Sequence, residues 1–223
     1  MSNPTKQAVL TSLSVAGAVS LYGISFGALA VTSGLDRWQT QVLSLFMFSG
    51  GSQFAFIGLF AGASTALSAV AAAGLLGVRN GLYAIRMSAV VGTGFWKRLI
   101  AGQLTIDEST AVSMAQEDPK SSRVGFWVTG ASIYVGWNTA TALGAMLGDA
   151  LGDVSRFGLD AAAATAFLGL LWPRVHSLQP IAVAAVAAVV TVLAVPTLPA
   201  GIPILVAAAS GLVVSQFFHR KTA

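Results

Sequence analysis

Long apolar segments separated by short polar stretches run through the whole chain. They lie at residues 8–32, 39–61, 66–91, 124–147, 159–172, 178–195 and 201–217. A helix that crosses a bilayer needs about 20 predominantly apolar residues, so the pattern predicts an all-α membrane protein with about seven transmembrane helices. Pro173 ends the fifth segment, and Pro196, Pro199 and Pro203 predict a hairpin between the last two, because proline cannot continue a helix.

The composition agrees with this pattern. Of the 223 residues, 55% are hydrophobic and only 9% are charged, whereas about a quarter are charged in soluble domains. The chain is therefore predicted to form a single transmembrane domain over residues 1–223. It contains no cysteine, which excludes a disulfide framework and a thiolate metal site, and no histidine–carboxylate cluster indicates a metal. No cofactor is predicted.

The basic residues predict the orientation of the chain. One side of the predicted bundle collects Arg37, Lys97, Arg98, Lys120, Arg123, Arg174, Arg220 and Lys221, and the other collects only Lys6 and Arg156. Positively charged loops remain in the cytoplasm. With seven spans, the N-terminus is predicted outside and the C-terminus inside the cell.

A short repeat divides the chain into two similar halves. Gly27-Ala28-Leu29 and Gly34-Leu35-Asp36 are matched by Gly144-Ala145-Met146 and Gly158-Leu159-Asp160. Three spans separate the copies, so equivalent helices would run in opposite directions, as in the inverted repeats of secondary transporters. The predicted organisation is a first repeat at 8–92, an amphipathic loop at 95–123, a second repeat at 124–195 and an additional span at 201–217.

The third apolar segment carries charged residues in its interior. The stretch GLLGVRNGLYAIR, residues 74–86, contains Arg79, Asn80 and Arg86 among three glycines that weaken a helix. An arginine at the centre of a bilayer costs about 2.5 kcal/mol or more, so it must face protein, water or a ligand. Two interpretations remain open: an anion site in a transporter, or a structural arginine paired with an aspartate or with backbone carbonyls.

The second apolar segment carries a run of small polar residues. Ser49, Gly50, Gly51, Ser52 and Gln53 lie next to Phe54 and predict a broken or loosened helix, which a membrane tolerates only where protein or a water-filled cavity satisfies the backbone. Such a site suits a zwitterion with an apolar side chain. Backbone amides and Arg79 would hold the carboxylate, while carbonyls and Gln53 would hold the ammonium. The alternative is a kink for helix packing.

Aromatic residues in the middle of predicted spans extend this candidate site. Trp137, its neighbour Asn138 and the mid-span tyrosines, including Tyr83, predict either a polar cavity or ordinary packing. Phe54 and Trp137 are expected to line the apolar part of a substrate pocket, and Asn80 and Gln53 to orient the polar part.

The loop at 95–123 contains an acidic pair with two interpretations. Thr105 and Glu108 have the spacing of a capping box, in which Asp107 and Glu108 favour a helix N-terminus. Alternatively, Asp107 and Glu108 close over the site, pair with Arg79 or Arg86, or carry a coupling proton. Asp160 is a further candidate for proton coupling or a helix cap.

Two common glycine motifs occur. Residues 23–27 match the G-x-S-x-G nucleophile motif, but they lie in a predicted membrane helix without a histidine base, so no catalytic site is predicted. The pairs Gly23/Gly27, Gly58/Gly62, Gly77/Gly81 and Gly144/Gly148 instead predict close helix packing.

The order and spacing of several motifs resemble a known family. These motifs are Ser25-Phe26-Gly27, Gly34-Leu35, the block from Ser44 to Phe54, Arg79-Asn80 and Leu104-Thr105-Ile106-Asp107-Glu108-Ser109, continued by Tyr134, Trp137 and Gly158-Leu159-Asp160. They are similar to the AzlC family, the large subunit of bacterial branched-chain amino-acid exporters. The chain departs from the family pattern at Gly77 and Asn80, where the family often has asparagine and histidine.

The resemblance implies export of leucine, isoleucine, valine and methionine across the bacterial inner membrane, with proton coupling. It also implies a small AzlD-type membrane subunit of about four spans as the partner. A channel or transporter for another small apolar or anionic solute remains the alternative.

Overall fold

The computed structural model describes residues 3–61, 65–151, 168, 171–172, 175–198 and 202–222. Within these residues the chain is helical and contains no strand. The helices, numbered along the chain, are α1 Pro4–Thr32, α2 Arg37–Phe46, α3 Gly50–Ala61, α4 Ala66–Val91, α5 Phe95–Leu104, α6 Asp107–Met114, α7 Pro119–Leu151, α8 Leu178–Ala194 and α9 Ile202–Thr222. The predicted span at 159–172 lies almost entirely outside the described residues.

The predicted apolar segments correspond closely to helices. Segments 8–32 and 66–91 are confirmed as helices by α1 and α4, and these two are long and apolar enough to cross a membrane. Helices α3 and α8 are shorter apolar helices. The all-α fold is confirmed for the described residues, while the total of seven spans and the inverted repeat stay predictions.

Helix α4 is continuous from Ala66 to Val91, through the three glycines that flank its arginines. Its N-terminus is capped by Thr65, whose hydroxyl accepts a hydrogen bond from the amide of Ser68 at 3.2 Å. A glycine inside a helix costs about 1 kcal/mol relative to alanine. Inside a membrane that cost is smaller than the loss of backbone hydrogen bonds, so three glycines do not break α4.

The predicted break in segment 39–61 is confirmed. Helix α2 ends at Phe46 and α3 begins at Gly50, which leaves residues 47–49 outside both helices. The break lies just before the glycine pair, and the side chain of Gln53 folds back to donate a 2.7 Å hydrogen bond to the carbonyl of Met47. At its other end, α2 is capped by Asp36, which accepts from the amide of Gln39 at 2.7 Å.

Helices α1 and α7 pack with their backbones in direct contact along most of their length. A Cβ atom on Gly27 would overlap the carbonyl of Thr141, and one on Gly144 would overlap the carbonyl of Ile24. The pairs Gly23/Gly27 and Gly144/Gly148 are therefore confirmed as packing motifs. By contrast, Gly58, Gly77 and Gly81 face open space or ordinary van der Waals contacts.

The loop predicted at 95–123 is mostly helical, which is a correction. It contains α5, α6 and the first turn of α7, which begins at Pro119 rather than at 124. Thr105 is also not the cap of the second helix: its hydroxyl donates to the carbonyl of Ala101 at 2.6 Å. Helix α6 begins one residue later than predicted, and the hydroxyl of Ser109 accepts from the amide of Ile106 at 3.0 Å.

The C-terminal helices form the hairpin that the prolines predict. Helix α8 ends at Ala194, one residue before the predicted end, and α9 extends beyond the predicted 217 to Thr222. Gln179 donates a hydrogen bond to the hydroxyl of Ser215 at 3.2 Å and connects the two helices.

Candidate functional site

A cavity of about 200 Å³ lies where α1, α3, α4, α6 and α7 meet. The broken segment between α2 and α3 forms part of its wall. Its lining combines apolar, aromatic and charged residues, namely Val19, Tyr22, Phe48, Ser49, Gly50, Gly51, Phe54, Arg79, Ile106, Asp107, Glu108, Ile133 and Trp137. The cavity therefore brings together eight of the predicted site residues from four separate stretches of sequence: Ser49, Gly50, Gly51, Phe54, Arg79, Asp107, Glu108 and Trp137.

An ion pair defines the charged side of this cavity. Nη1 of Arg79, on α4, lies 2.8 Å from Oδ2 of Asp107, the first residue of α6. The Asp107 side chain is 9% exposed and that of Arg79 is 26% exposed. The structure thus shows one of the pairings considered for the acidic pair, and this ion pair is also the arrangement expected of a structural arginine paired with an aspartate. The Nε atom of Arg79 is buried and has no hydrogen-bond partner among the described residues, so the guanidinium retains a donor for another group.

The N-terminus of α3 adds backbone donors to the same cavity. Gly50 and Gly51 begin this helix, and the first amides of a helix have no partner within it. They carry a partial positive charge that favours an anion. A Cβ atom on Gly50 would lie 3.1 Å from the Trp137 ring, so a side chain at this position would push against the indole.

Contacts between rings fix the aromatic part of the lining. The ring of Phe26 stacks on that of Trp137 with centroids 6.2 Å apart, and Phe54 meets Phe26 edge-on at 5.8 Å. Phe48 contacts Tyr134 edge-on at 5.0 Å. These contacts hold large rings in fixed orientations, since aromatic pairs favour stacked and edge-to-face arrangements. The lining therefore combines an ion pair with aromatic rings that are held in fixed orientations.

Gln53 lies behind the cavity and does not line it. Its side chain is fully buried, donates to the carbonyl of Met47 at 2.7 Å and accepts from Nε1 of Trp137 at 2.8 Å. Its amide therefore already has both a donor and an acceptor contact. Gln53 holds the broken segment and positions Trp137, which is a supporting role rather than the direct contact that the sequence suggests.

The other predicted residues lie outside this cavity. Ser52 and Asn80 line a second cavity on the other side of the broken segment. The Asn138 amide accepts from Gln41 at 3.2 Å and donates to the carbonyl of Tyr134 at 2.8 Å. Tyr83 is half-buried on α4, and Arg86 is exposed there without an ion pair to any described residue. Asp160 lies outside the described residues.

Five residues of the cavity lining were not predicted as site residues. They are Val19, Tyr22, Phe48, Ile106 and Ile133. Of these, only Tyr22 has a signal in the sequence, as a tyrosine in the middle of a span. The others are apolar residues among many, and only the packing of the helices determines which of them face the cavity.

One comparison with known proteins, against protein-family profiles, gives a match. The sequence profile described as AzlC protein matches residues 14–151, which include the helices and the broken segment that form the cavity. Among curated proteins and among solved structures, no match to the chain was found. The match covers more than half of the chain, and AzlC is a family associated with branched-chain amino-acid transport rather than with catalysis. This membrane protein belongs to the AzlC family.

Proposed function

We propose that this chain is the large subunit of a secondary transporter that exports leucine, isoleucine, valine and methionine from the cytoplasm. One observation carries the proposal: a single cavity is lined by the Arg79–Asp107 pair, by a helix N-terminus and by aromatic and aliphatic side chains. A zwitterion with an apolar side chain has the same combination of charge and hydrophobicity.

The charged side offers a partner to each end of an amino acid. The carboxylate would bind to the guanidinium of Arg79 and to the amides of Gly50 and Gly51, because charge-assisted hydrogen bonds are strong in a partly buried site. The ammonium would bind to the carboxylates of Asp107 and Glu108. Substrate binding would thus insert the zwitterion between Arg79 and Asp107 and exchange one ion pair for two.

The apolar side accounts for the substrate class. Phe54, Trp137 and Ile133 would enclose the aliphatic chain, and burial of a leucine-sized side chain contributes roughly 1.5–3 kcal/mol. The cavity of about 200 Å³ exceeds the roughly 150 Å³ that accommodates benzene in an engineered protein cavity. A polar side chain would lose its hydration against this wall without a compensating hydrogen bond.

The same acidic pair is a candidate for coupling to a proton gradient. Protonation of Asp107 or Glu108 would remove the negative charge that holds the ammonium of the bound amino acid. Inward movement of a proton would in this way favour release of the amino acid outside. The proposal includes a small AzlD-type partner of about four spans, the inner membrane as location, an inverted repeat and a cytoplasmic C-terminus.

Efflux from vesicles tests the function. Vesicles loaded with labelled leucine or methionine would carry this chain alone, the chain with its small partner, or the partner with Arg79→Ala. We expect saturable efflux that requires the partner and is lost in Arg79→Ala. Arg98→Ala is the matched control, because Arg98 is an exposed arginine on α5, outside the cavity.

Two results would change the assignment. Absence of efflux of any apolar amino acid from a folded complex would refute the substrate class. Efflux that does not saturate would instead favour the alternative, a channel for small solutes.

A further inference from the structure

A second cavity, of about 330 Å³, lies on the other side of the broken segment between α2 and α3. It is bounded by the C-terminal end of α2, the start of α3, the glycine-rich part of α4 and the last turn of α5. Phe48 and Ser49 line both cavities, so the broken segment separates them. The lining of the second cavity contains no carboxylate and no basic side chain.

Two oxygen atoms in this lining are buried without a hydrogen-bond partner among the described residues. They are the hydroxyl Oγ of Ser52, a residue that is only 2% exposed, and the amide Oδ1 of Asn80. Gly77 of α4 faces the serine: a Cβ atom there would lie 3.9 Å from Ser52 Oγ, so no side chain of α4 intervenes at that point. A buried polar atom without a partner is unfavourable, and a bound ligand would satisfy both oxygens.

The backbone at this cavity adds a negative electrostatic potential. Phe46 ends α2, Met47 follows it, and both line the cavity. The last carbonyls of a helix have no partner within the helix and carry a partial negative charge. Here the carbonyl of Leu45 accepts a hydrogen bond from Gln103 and that of Met47 accepts one from Gln53, each at 2.7 Å, whereas that of Phe46 accepts none from a described residue. The two helix ends at the break therefore line different cavities. The N-terminus of α3 lines the first cavity, and the C-terminus of α2 lines the second.

The chemistry of this lining selects a class of ligand. Hydroxyl, amide and backbone carbonyl oxygens are hard, uncharged ligands that suit an alkali cation. Divalent Ca²⁺ and Mg²⁺ are normally bound by carboxylates, which the lining lacks. The nearest positive charge along α4 is Arg79, and its ion pair with Asp107 offsets its repulsion of a cation.

We propose that the second cavity binds a monovalent metal cation, with sodium as the ion to test, through Ser52 Oγ, Asn80 Oδ1 and the carbonyl of Phe46 at the end of α2. Broken membrane helices in secondary transporters offer carbonyls to Na⁺ beside the substrate in the same manner. Because Phe48 and Ser49 contact both cavities, occupation of the second would influence substrate binding in the first. This last step rests on the proposed function, whereas the cation site itself does not.

Thermal unfolding of the purified full chain tests the site without any substrate. Sodium chloride would replace N-methylglucamine chloride in steps, so that the ionic strength stays constant. A ligand that binds the folded state raises the apparent Tm in a saturable manner. We expect such a rise for the wild type. Ser52→Ala and Asn80→Ala should each require about tenfold more sodium for the same rise, which corresponds to the loss of one ligand atom. Asn80→Asp should require less, because it adds a negative charge.

The control is Ser88→Ala, which also removes a serine hydroxyl but from the exposed side of α4, where that hydroxyl donates to the carbonyl of Ile85 at 2.6 Å. It should respond to sodium as the wild type does. No sodium-dependent rise in the wild type, or an unchanged response in Ser52→Ala and Asn80→Ala, would overturn the proposal. A larger and equally site-dependent rise with Mg²⁺ would refute the monovalent class.

Efflux of labelled leucine in sodium and in N-methylglucamine separates the two proposals. A sodium-dependent Tm without any leucine efflux would refute leucine as the transported substrate and leave the cation site. Leucine efflux together with a Tm that does not depend on sodium would refute the cation site and leave the proposed export function.

Discussion

The indole Nε1 of Trp137 donates a 2.8 Å hydrogen bond to Oε1 of Gln53, and both side chains are buried. The other end of the Gln53 amide holds the carbonyl of Met47 in the break between α2 and α3. One glutamine therefore connects the broken segment to the aromatic wall of the first cavity. A movement of the break would move the indole, so the aromatic lining of the cavity and the geometry of the break are linked through this side chain.

Trp137→Phe should lower the stability of the folded chain. The substitution keeps an aromatic ring but removes the donor to Gln53, which leaves a buried oxygen unpaired at a cost of roughly 1–3 kcal/mol. The measurement is the free energy of unfolding by denaturant in detergent. Trp96→Phe is the control, because Trp96 is 73% exposed on α5. Equal stability of the two variants would contradict a structural role for the bond.

Much of the architecture follows from local chemistry that the sequence displays. The boundaries of α4 coincide with its apolar run, and the break before Gly50 follows from the serine and glycine run. The pairing of Arg79 with an acidic residue is also predictable, since a buried arginine needs a partner.

The assignment of residues to cavities is not predictable in the same way. Gly51 and Ser52 are adjacent on α3, as are Arg79 and Asn80 on α4, yet the members of each pair line different cavities. Successive residues of a helix point about 100° apart, so their surroundings depend on which helices pack on each side. The start of α6 shows a similar limit, because the Thr105 hydroxyl donates to the carbonyl of Ala101 in the preceding helix and the Ser109 hydroxyl accepts from the amide of Ile106 instead.

Asp107→Asn should alter substrate preference more than it alters the fold. The neutral amide keeps a hydrogen-bonding group near Arg79 but loses the charge that would hold the ammonium. We expect the affinity for leucine to fall about tenfold or more, since hydrogen bonds to charged groups contribute roughly 1.5–3 kcal/mol. The affinity for 4-methylpentanoate, which lacks the amino group, should change less or rise, because Arg79 loses its competitor.

Competition of each compound against labelled leucine measures this difference. Glu117→Gln is the control, as it also neutralises an acidic residue but lies outside the cavity lining. A parallel loss for leucine and 4-methylpentanoate would show that Asp107 does not contact the ammonium.

Gly27→Ala should weaken the contact between α1 and α7. The added methyl group would overlap the carbonyl of Thr141 and lie 2.7 Å from the amide of Ala145, and neither backbone atom can move without the helix. Forcing atoms into a packed interface costs about 1–3 kcal/mol. Gly17→Ala, on the same helix, introduces a Cβ with nothing within 4 Å and should be neutral or stabilising by up to about 1 kcal/mol. The measurement is the Tm of Gly27→Ala and of Gly17→Ala in thermal unfolding. Equal Tm values for the two variants would show that α1 and α7 do not pack by backbone contact.

Asp118 should titrate at a lower pH than an ordinary aspartate. Its carboxylate lies just before α7, and the Ser121 hydroxyl, followed by the Ser121 amide at 2.9 Å, lowers its pKa from the ordinary 3.8. A group with a depressed pKa stabilises the folded state fully above its unfolded pKa. This contribution is lost as the pH falls from about 3.8 through the lower folded value.

The amide chemical shift of Ser121, followed by NMR against pH, reports this titration directly. We expect a midpoint below 3.8 in the wild type and a midpoint closer to 3.8 in Ser121→Ala, because that variant lacks the hydroxyl that contributes most to the shift. Ser122→Ala is the matched control, since its hydroxyl contacts Ser113 at 3.0 Å rather than the aspartate. Equal midpoints in Ser121→Ala and the wild type would mean that the helix amides alone hold the carboxylate, and the start of α7 would then depend on backbone geometry rather than on this serine.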